Sequence, residues 1–147
     1  MSYYLLKPEV AGELGEQSKI VYEGGRIKDV LHLEYFFVAW FGNELLTAHP
    51  CFIVTDSLQR DIISNNLKGA RFREITMTFS EDFFNAHTDT EFPYFIELIC
   101  ENSYEEDNNY LQNDFYYNKY KELIVSKKAL DIIKQHIIDM CDIEEVT

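Results

Sequence analysis

The alternation of apolar and polar positions predicts many short strands and few helices. Residues 3–6 form a short apolar run of β type that stops at Pro8. Gly12, Gly15, Gly24 and Gly25 punctuate the next stretch, which predicts loops, a turn at Gly24-Gly25 and a second short strand over residues 20–22. From residue 27, Leu31, Leu33, Tyr35, Phe37 and Ala39 alternate with His32, Glu34, Phe36, Val38 and Trp40, as in a strand with one partly polar face. The following AWFGNELL fits strand or helix, with a turn at Gly42. Residues 51–54 read as a buried strand, and Thr55 as the N-cap of a helix carrying Leu58, Ile62 and Ile63. Residues 71–79 alternate as a strand. Ser80 caps a short helix, and residues 94–100 follow as another strand. Residues 101–120 are polar and rich in Asn and Tyr, which predicts a long loop. Residues 123–125 return to strand. Ser126 then caps a helix to about residue 138 with Ala129, Leu130, Ile133 and Ile137 on one side, and residues 141–146 close with a strand.

Part of this pattern occurs twice. FIVTDSLQRDIISNNLKGARFREI (residues 52–75) and LIVSKKALDIIKQHIIDMCDIEEV (residues 123–146) align without a gap, 71 positions apart. Ile53, Val54, Ile62 and Glu74 match Ile124, Val125, Ile133 and Glu145, and Thr55 and Ser126 are equivalent caps. Units of this kind resemble one another, so duplication and a merely shared layout both fit. In either case the expectation is one α+β domain over residues 1–147. It would have a mixed or antiparallel sheet, a few packed helices and two similar strand-helix-strand units.

Composition narrows the function. Apolar residues make up 46%, with 11 Phe and 10 Tyr, which excludes a disordered chain. A chain near this length buries roughly 68–70% of its unfolded surface, so it needs no disulfide or metal to fold. Lys and Arg total 13 against 26 Asp and Glu, a net charge of −13. A field of that sign repels nucleic acid and anionic lipid and attracts a basic protein, although excess acid also serves solubility alone. Cys51, Cys100 and Cys141 are odd in number, far apart and set in apolar runs, the pattern of buried free thiols. The opening MSYYLLKPEV lacks the features of a secretory signal, and no apolar run approaches the ~20 residues of a membrane helix. A soluble, cytoplasmic protein is expected.

Catalytic motifs are not evident. The sequence has no phosphate loop, no dinucleotide fingerprint and no serine elbow. His32, His49, His87 and His136 have no zinc-like spacing. His87 with Asp89 is a possible ligand pair that an exposed polar loop explains equally well. His49-Pro50-Cys51 places a base beside a thiol, but the thiol opens a strand of buried type. His136 is expected at the surface or rim of a helix. The expectation is therefore a protein without enzymatic activity, metal or cofactor.

The clearest polar feature is an interval without Lys or Arg between Arg73 and Lys119, filled with acids and tyrosines. Tyrosines add rigid contact area and acids steer a basic partner. Tyr104, Glu105, Glu106, Asp107, Tyr110, Asp114, Tyr116 and Tyr117 are the candidate partner-binding residues. The alternative is a solvated acidic loop whose tyrosines fold back on the core.

YYLLKPEVAGELGE, LHLEYFFVAWFGNELL, PCFIVTDSL, LKGARFREITM and the closing LIVSKKALDIIKQHIIDMCDIEEV together resemble the immunity-type proteins of bacterial polymorphic toxin systems, once catalogued as a domain of unknown function. The resemblance implies a cytoplasmic antidote that binds a cognate toxin domain and blocks its active site or substrate path. No site motif of that family maps onto particular positions here. A toxin matching this charge would be basic. The alternative is a non-enzymatic adaptor or a self-associating module joined through aromatics near Tyr35 and Phe41.

Overall fold

A computed structural model of the chain describes residues 2–87, 91–107 and 109–146. The fold is α+β, with mainly antiparallel sheets and three helices among the described residues. Each helix begins where the sequence places a cap. Thr55 precedes α1 (Asp56–Ser64), Ser80 precedes α2 (Glu81–Ala86) and Ser126 precedes α3 (Lys127–Ile133). In each case the hydroxyl accepts a hydrogen bond from the amide three residues on, that of Leu58, Phe83 or Ala129.

The two similar segments form matching sheets. One has the order β6 (Leu45–Ala48), β7 (Cys51–Thr55), β10 (Phe95–Cys100), β8 (Ala70–Arg73). The other has the order β11 (Phe115–Tyr117), β12 (Leu123–Ser126), β1 (Tyr3–Lys7), β13 (Asp142–Val146). All neighbours in both are antiparallel. Neither strand-helix-strand unit closes on itself. β10, from the second half of the chain, lies between β7 and β8, and β1, from the first, lies between β12 and β13.

Period-2 alternation gives each sheet two faces. Leu6, Leu123, Val125 and Phe115 on one sheet, and Phe52, Val54 and Leu98 on the other, enclose a core with Leu58 and Ile62 of α1 and Ala129, Leu130 and Ile133 of α3. The second face of the β6–β8 sheet carries Leu46, Ile53 and Phe95 into another core. That core is completed by a three-stranded sheet, β2 (Gly12–Leu14), β5 (Glu34–Phe37), β9 (Thr76–Phe79), and by the hairpin β3 (Lys19–Glu23)–β4 (Arg26–His32). Tyr35 ties these layers together: its buried hydroxyl accepts from the Ala11 amide and donates to the Thr47 carbonyl.

Paired carboxylates brace the two units against each other. Glu44 accepts from the Thr55 hydroxyl at 2.9 Å and from the Ile137 amide beyond α3 at 2.9 Å. Asp114 accepts from the Ser126 hydroxyl at 2.6 Å and from the Lys68 amide beyond α1 at 2.8 Å. Each acid thus supports the cap of its own unit and grips the loop that leaves the other unit's helix. The backbones repeat the arrangement: the Glu44 amide donates to the Ile137 carbonyl and the Asp114 amide to the Lys68 carbonyl, both at 2.8 Å. Gly69, in the left-handed region at φ +98°, lies so close to the Phe115 carbonyl that a Cβ would stand 2.6 Å from its oxygen.

Several expectations change. The alternation over residues 71–79 is broken into β8 and β9, because β8 pairs with β10 while β9 runs parallel to β5. Residues 12–14, expected as loop, form β2, and the expected loop 101–120 contains β11. α3 ends at Ile133, and Ile137 is exposed, because its backbone is drawn to Glu44. Cys51 is buried as expected, whereas Cys100 and Cys141 are half-buried.

His136 is not a rim residue of a helix. Its side chain, 7% exposed, lies between Glu44 (Nδ1 to Oε1, 3.0 Å) and Asp61 of α1 (Nε2 to Oδ2, 2.6 Å). Burial opposes its charge, but hydrogen bonds donated to the two carboxylates, with their charges, outweigh burial and raise its pKa above 6.5. Burial likewise acts to raise the Glu44 carboxyl, but the Ile137 amide, His136 and Thr55 outweigh it and lower the pKa below 4.5. Protonated His136 therefore favours folding most fully below pH 6.5, and its contribution fades as pH rises through the raised value. The Glu44 contribution is present above pH 4.5 and fades as pH falls through the lowered value. Urea unfolding over a pH series is expected to show greatest support from this brace between those limits. In His136→Asn the loss above pH 6.5 should shrink, and an unchanged alkaline limb would remove His136 from it.

Candidate functional site

The acidic, tyrosine-rich segment is pinned at its base and open at its tip. The Tyr117 amide donates to the Asn102 carbonyl and the Tyr104 amide to the Tyr117 carbonyl, which docks residues 102–104 along β11. The Asp107 amide then donates to the Ser103 carbonyl, and the Tyr110 amide to the Asp107 carbonyl, folding the segment into successive turns. On the return, the buried Tyr116 hydroxyl accepts from the Gln112 and Asn113 amides at 3.1 and 3.0 Å.

Three tyrosines anchor this segment. Tyr3, Tyr104 and Tyr116 meet edge to face with ring centroids 5.8 to 5.9 Å apart, over Ile124 and beside Leu5, Leu111 and Val146. Tyr3 donates to the Asn113 carbonyl at 2.8 Å. Burial, together with Tyr116, Asp114 and Tyr104, pushes its phenol up to about 12.

The eight predicted partner-binding residues consequently separate. Glu105, Glu106 and Tyr110 are exposed, Tyr110 at 74%, and Asp107 is half-buried beside them. Tyr116 is 0% exposed and belongs to the core, a correction to its predicted role: β11 turns it inward against Tyr3. Asp114 is a brace whose oxygens are taken by Ser126 and Lys68, and Tyr104 is half-buried in the tyrosine cluster. Tyr117 points to the opposite face of β11 from Tyr116, with the Lys121 ammonium 4.7 Å above its ring.

Sequence reasoning missed the acids of β13. Asp142, Glu144 and Glu145 are exposed on this edge strand. The register pairs Tyr3 with Val146 and Leu5 with Glu144, so Glu144 lies on the face that carries the tyrosine cluster. The alternating acid and apolar residues near the end of the sequence were visible, but their position beside β1 was not.

Other candidates carry less. Among the described residues no group of three His, Cys, Asp or Glu side chains could hold a metal ion. Asp89, the suggested partner of His87, lies outside the described residues, and His87 itself stacks on Phe83. Burial raises the Cys51 thiol far above its ordinary value, with further effect from Glu97, so Cys51 is no ready nucleophile. Among the described residues no helix is long and apolar enough to cross a membrane. In comparisons with known proteins, no family model and no curated protein matches the chain.

Proposed function

We propose that the protein is a cytoplasmic immunity protein that acts by binding, not catalysis, and neutralises a cognate toxin domain with a basic surface. The observation that carries this reading is the exposure of Glu105, Glu106 and Tyr110 at the tip of a segment whose base is held by backbone pairing and buried tyrosines. A preorganised loop loses little entropy on binding, and its acids steer a cation-rich partner. The net charge of −13 and the sequence resemblance support the same reading. The interface would take in Glu105, Glu106, Asp107 and Tyr110, and Glu144 lies on the sheet face that carries the tyrosine cluster.

Charge reversal of Glu105, Glu106 and Asp107 to Lys is expected to slow association about tenfold or more at low salt without lowering thermal stability. The check is stopped-flow association with the toxin domain recovered by pull-down from host lysate. An unchanged rate constant would remove this loop from the interface, and capture of an acidic partner would count against electrostatic neutralisation.

Self-association is the second reading. Tyr35 and Phe37 are core residues and cannot serve it. Val10 (67% exposed), Val38 (49%) and Phe41 (68%) favour it, because Val38 and Ala39 donate to the Ala11 carbonyl and so bring these apolar groups close along the backbone. A sedimentation mass equal to one chain at high concentration would set it aside.

A further inference from the structure

In a chain of charge −13, four of the 13 basic residues converge on one open cleft of about 390 Å³. Lys28 comes from β4, Arg71 and Arg73 from β8, and Lys121 from the turn after β11.

The four cations differ in their commitments. Arg73 is held in place: Nε and Nη2 both contact Glu97 Oε1, at 3.0 and 2.9 Å, and Nη2 also donates to the Val30 carbonyl. Lys28 forms an exposed ion pair with Glu23. Arg71 and Lys121 have no ion pair with a carboxylate among the described residues, even though the chain contains 26. The Lys121 ammonium lies 4.7 Å from the centroid of the Tyr117 ring. On the two carboxylates of the lining, Glu97 is engaged by Arg73, and Asp29 accepts from the Val30 amide.

We propose that this cleft binds a small organic phosphate, with Arg71, Lys121 and Lys28 around the phosphate and the uncharged lining, Pro50 and Ile99 included, toward the organic part. The cleft is within the roughly 300–1,000 Å³ range of small-molecule sites. A guanidinium fork with two ammonium groups suits a multiply charged oxyanion. A long nucleic acid is disfavoured because the remaining surface is acidic, whereas at physiological salt the ~8 Å screening length lets the local cations dominate within the cleft. Arg73 and Glu97 act as a fixed wall, because their charges already satisfy each other.

The test uses inorganic pyrophosphate with the full chain, followed by amide chemical shifts at constant ionic strength. Saturable shifts are expected at residues 28–30, 71–73 and 117–121, with Kd below about 1 mM. Arg71→Gln combined with Lys121→Gln should weaken binding at least tenfold at unchanged melting temperature. Arg71→Lys combined with Lys121→Arg keeps the charge but moves the guanidinium fork, and should bind more tightly than the double Gln variant. Absence of saturation at 10 mM (about ten times the expected limit), or an unchanged Kd in the double Gln variant, would overturn the proposal. Tighter binding of citrate than of pyrophosphate would overturn the choice of phosphate. The assay requires no toxin, so its failure would leave the proposed neutralising role standing.

Discussion

Tyr116→Ala is expected to unfold the protein more readily without affecting any partner contact directly. The ring is fully buried between Tyr3, Tyr104 and Ile124, and its hydroxyl accepts two amide hydrogen bonds that close the acidic segment. Truncating a buried aromatic to Ala costs about 3–5 kcal/mol, mostly from lost contact and the cavity left behind. For a chain of this size that corresponds to a fall in melting temperature of roughly 6–20 °C. Tyr116→Phe retains the ring but leaves the Gln112 and Asn113 amides without that acceptor, for a loss of about 1–2 kcal/mol. Tyr110→Ala, at an exposed position, should stay within about 0.5 kcal/mol of the parent. The ordering of these three variants by thermal melt decides the matter. If Tyr110 proved more costly than Tyr116, the division between inward and outward tyrosines would be wrong.

Glu44→Ala is expected to have the next largest effect. It removes the acceptor shared by the Thr55 hydroxyl, the Ile137 amide and His136, so one truncation weakens the α1 cap and the chain leaving α3. Leaving several polar partners, His136 among them, without their acceptor costs about 3–4 kcal/mol. Asp114→Ala loses two hydrogen bonds and no charged partner, so about 2–3 kcal/mol is expected. α1 and α3 pack on each other, and the two acids hold opposite ends of that contact. The double variant should therefore depart from additivity by more than about 0.5 kcal/mol. Denaturant melts of the two singles and the double measure this coupling. Strict additivity would mean that the two braces act separately.

Local order was legible in the sequence, whereas the pairing of distant segments was not. Thr55, Ser80 and Ser126 were identifiable as caps because a hydroxyl before an apolar-periodic run has few other uses, and the structure places each on the expected amide. The alignment of residues 52–75 with 123–146 correctly anticipated two strand-helix-strand units. It did not disclose that β1 and β10 are exchanged between their sheets, because alternation describes the faces of a strand and not its neighbours. Residues 71–79 show the same limit: one unbroken alternation serves two sheets. The bracing role of Glu44 and of Asp114, the latter expected at the partner interface, was not visible because both lie upstream of the aligned segments and one position out of step with the 71-residue offset.

At the candidate interface, counting acids and tyrosines located the segment but not the orientation of its side chains. Glu105, Glu106 and Tyr110 face outward as a partner-binding loop requires, whereas Tyr116 and Asp114 hold the loop in place. The cleft lined by Arg71 and Lys121 was invisible because its cations are about 50 positions apart and meet only through the sheets.

The exchange of strands also has a consequence for synthesis. On the ribosome, where the N-terminal part emerges first at ~5–20 residues per second, Tyr3–Lys7 appears well before both of its neighbours, Leu123–Ser126 and Asp142–Val146. β6–β8 must likewise wait for Phe95–Cys100 before that sheet is complete. The nascent chain therefore carries unpaired strand edges until these downstream strands have emerged, and native closure of both sheets waits for them.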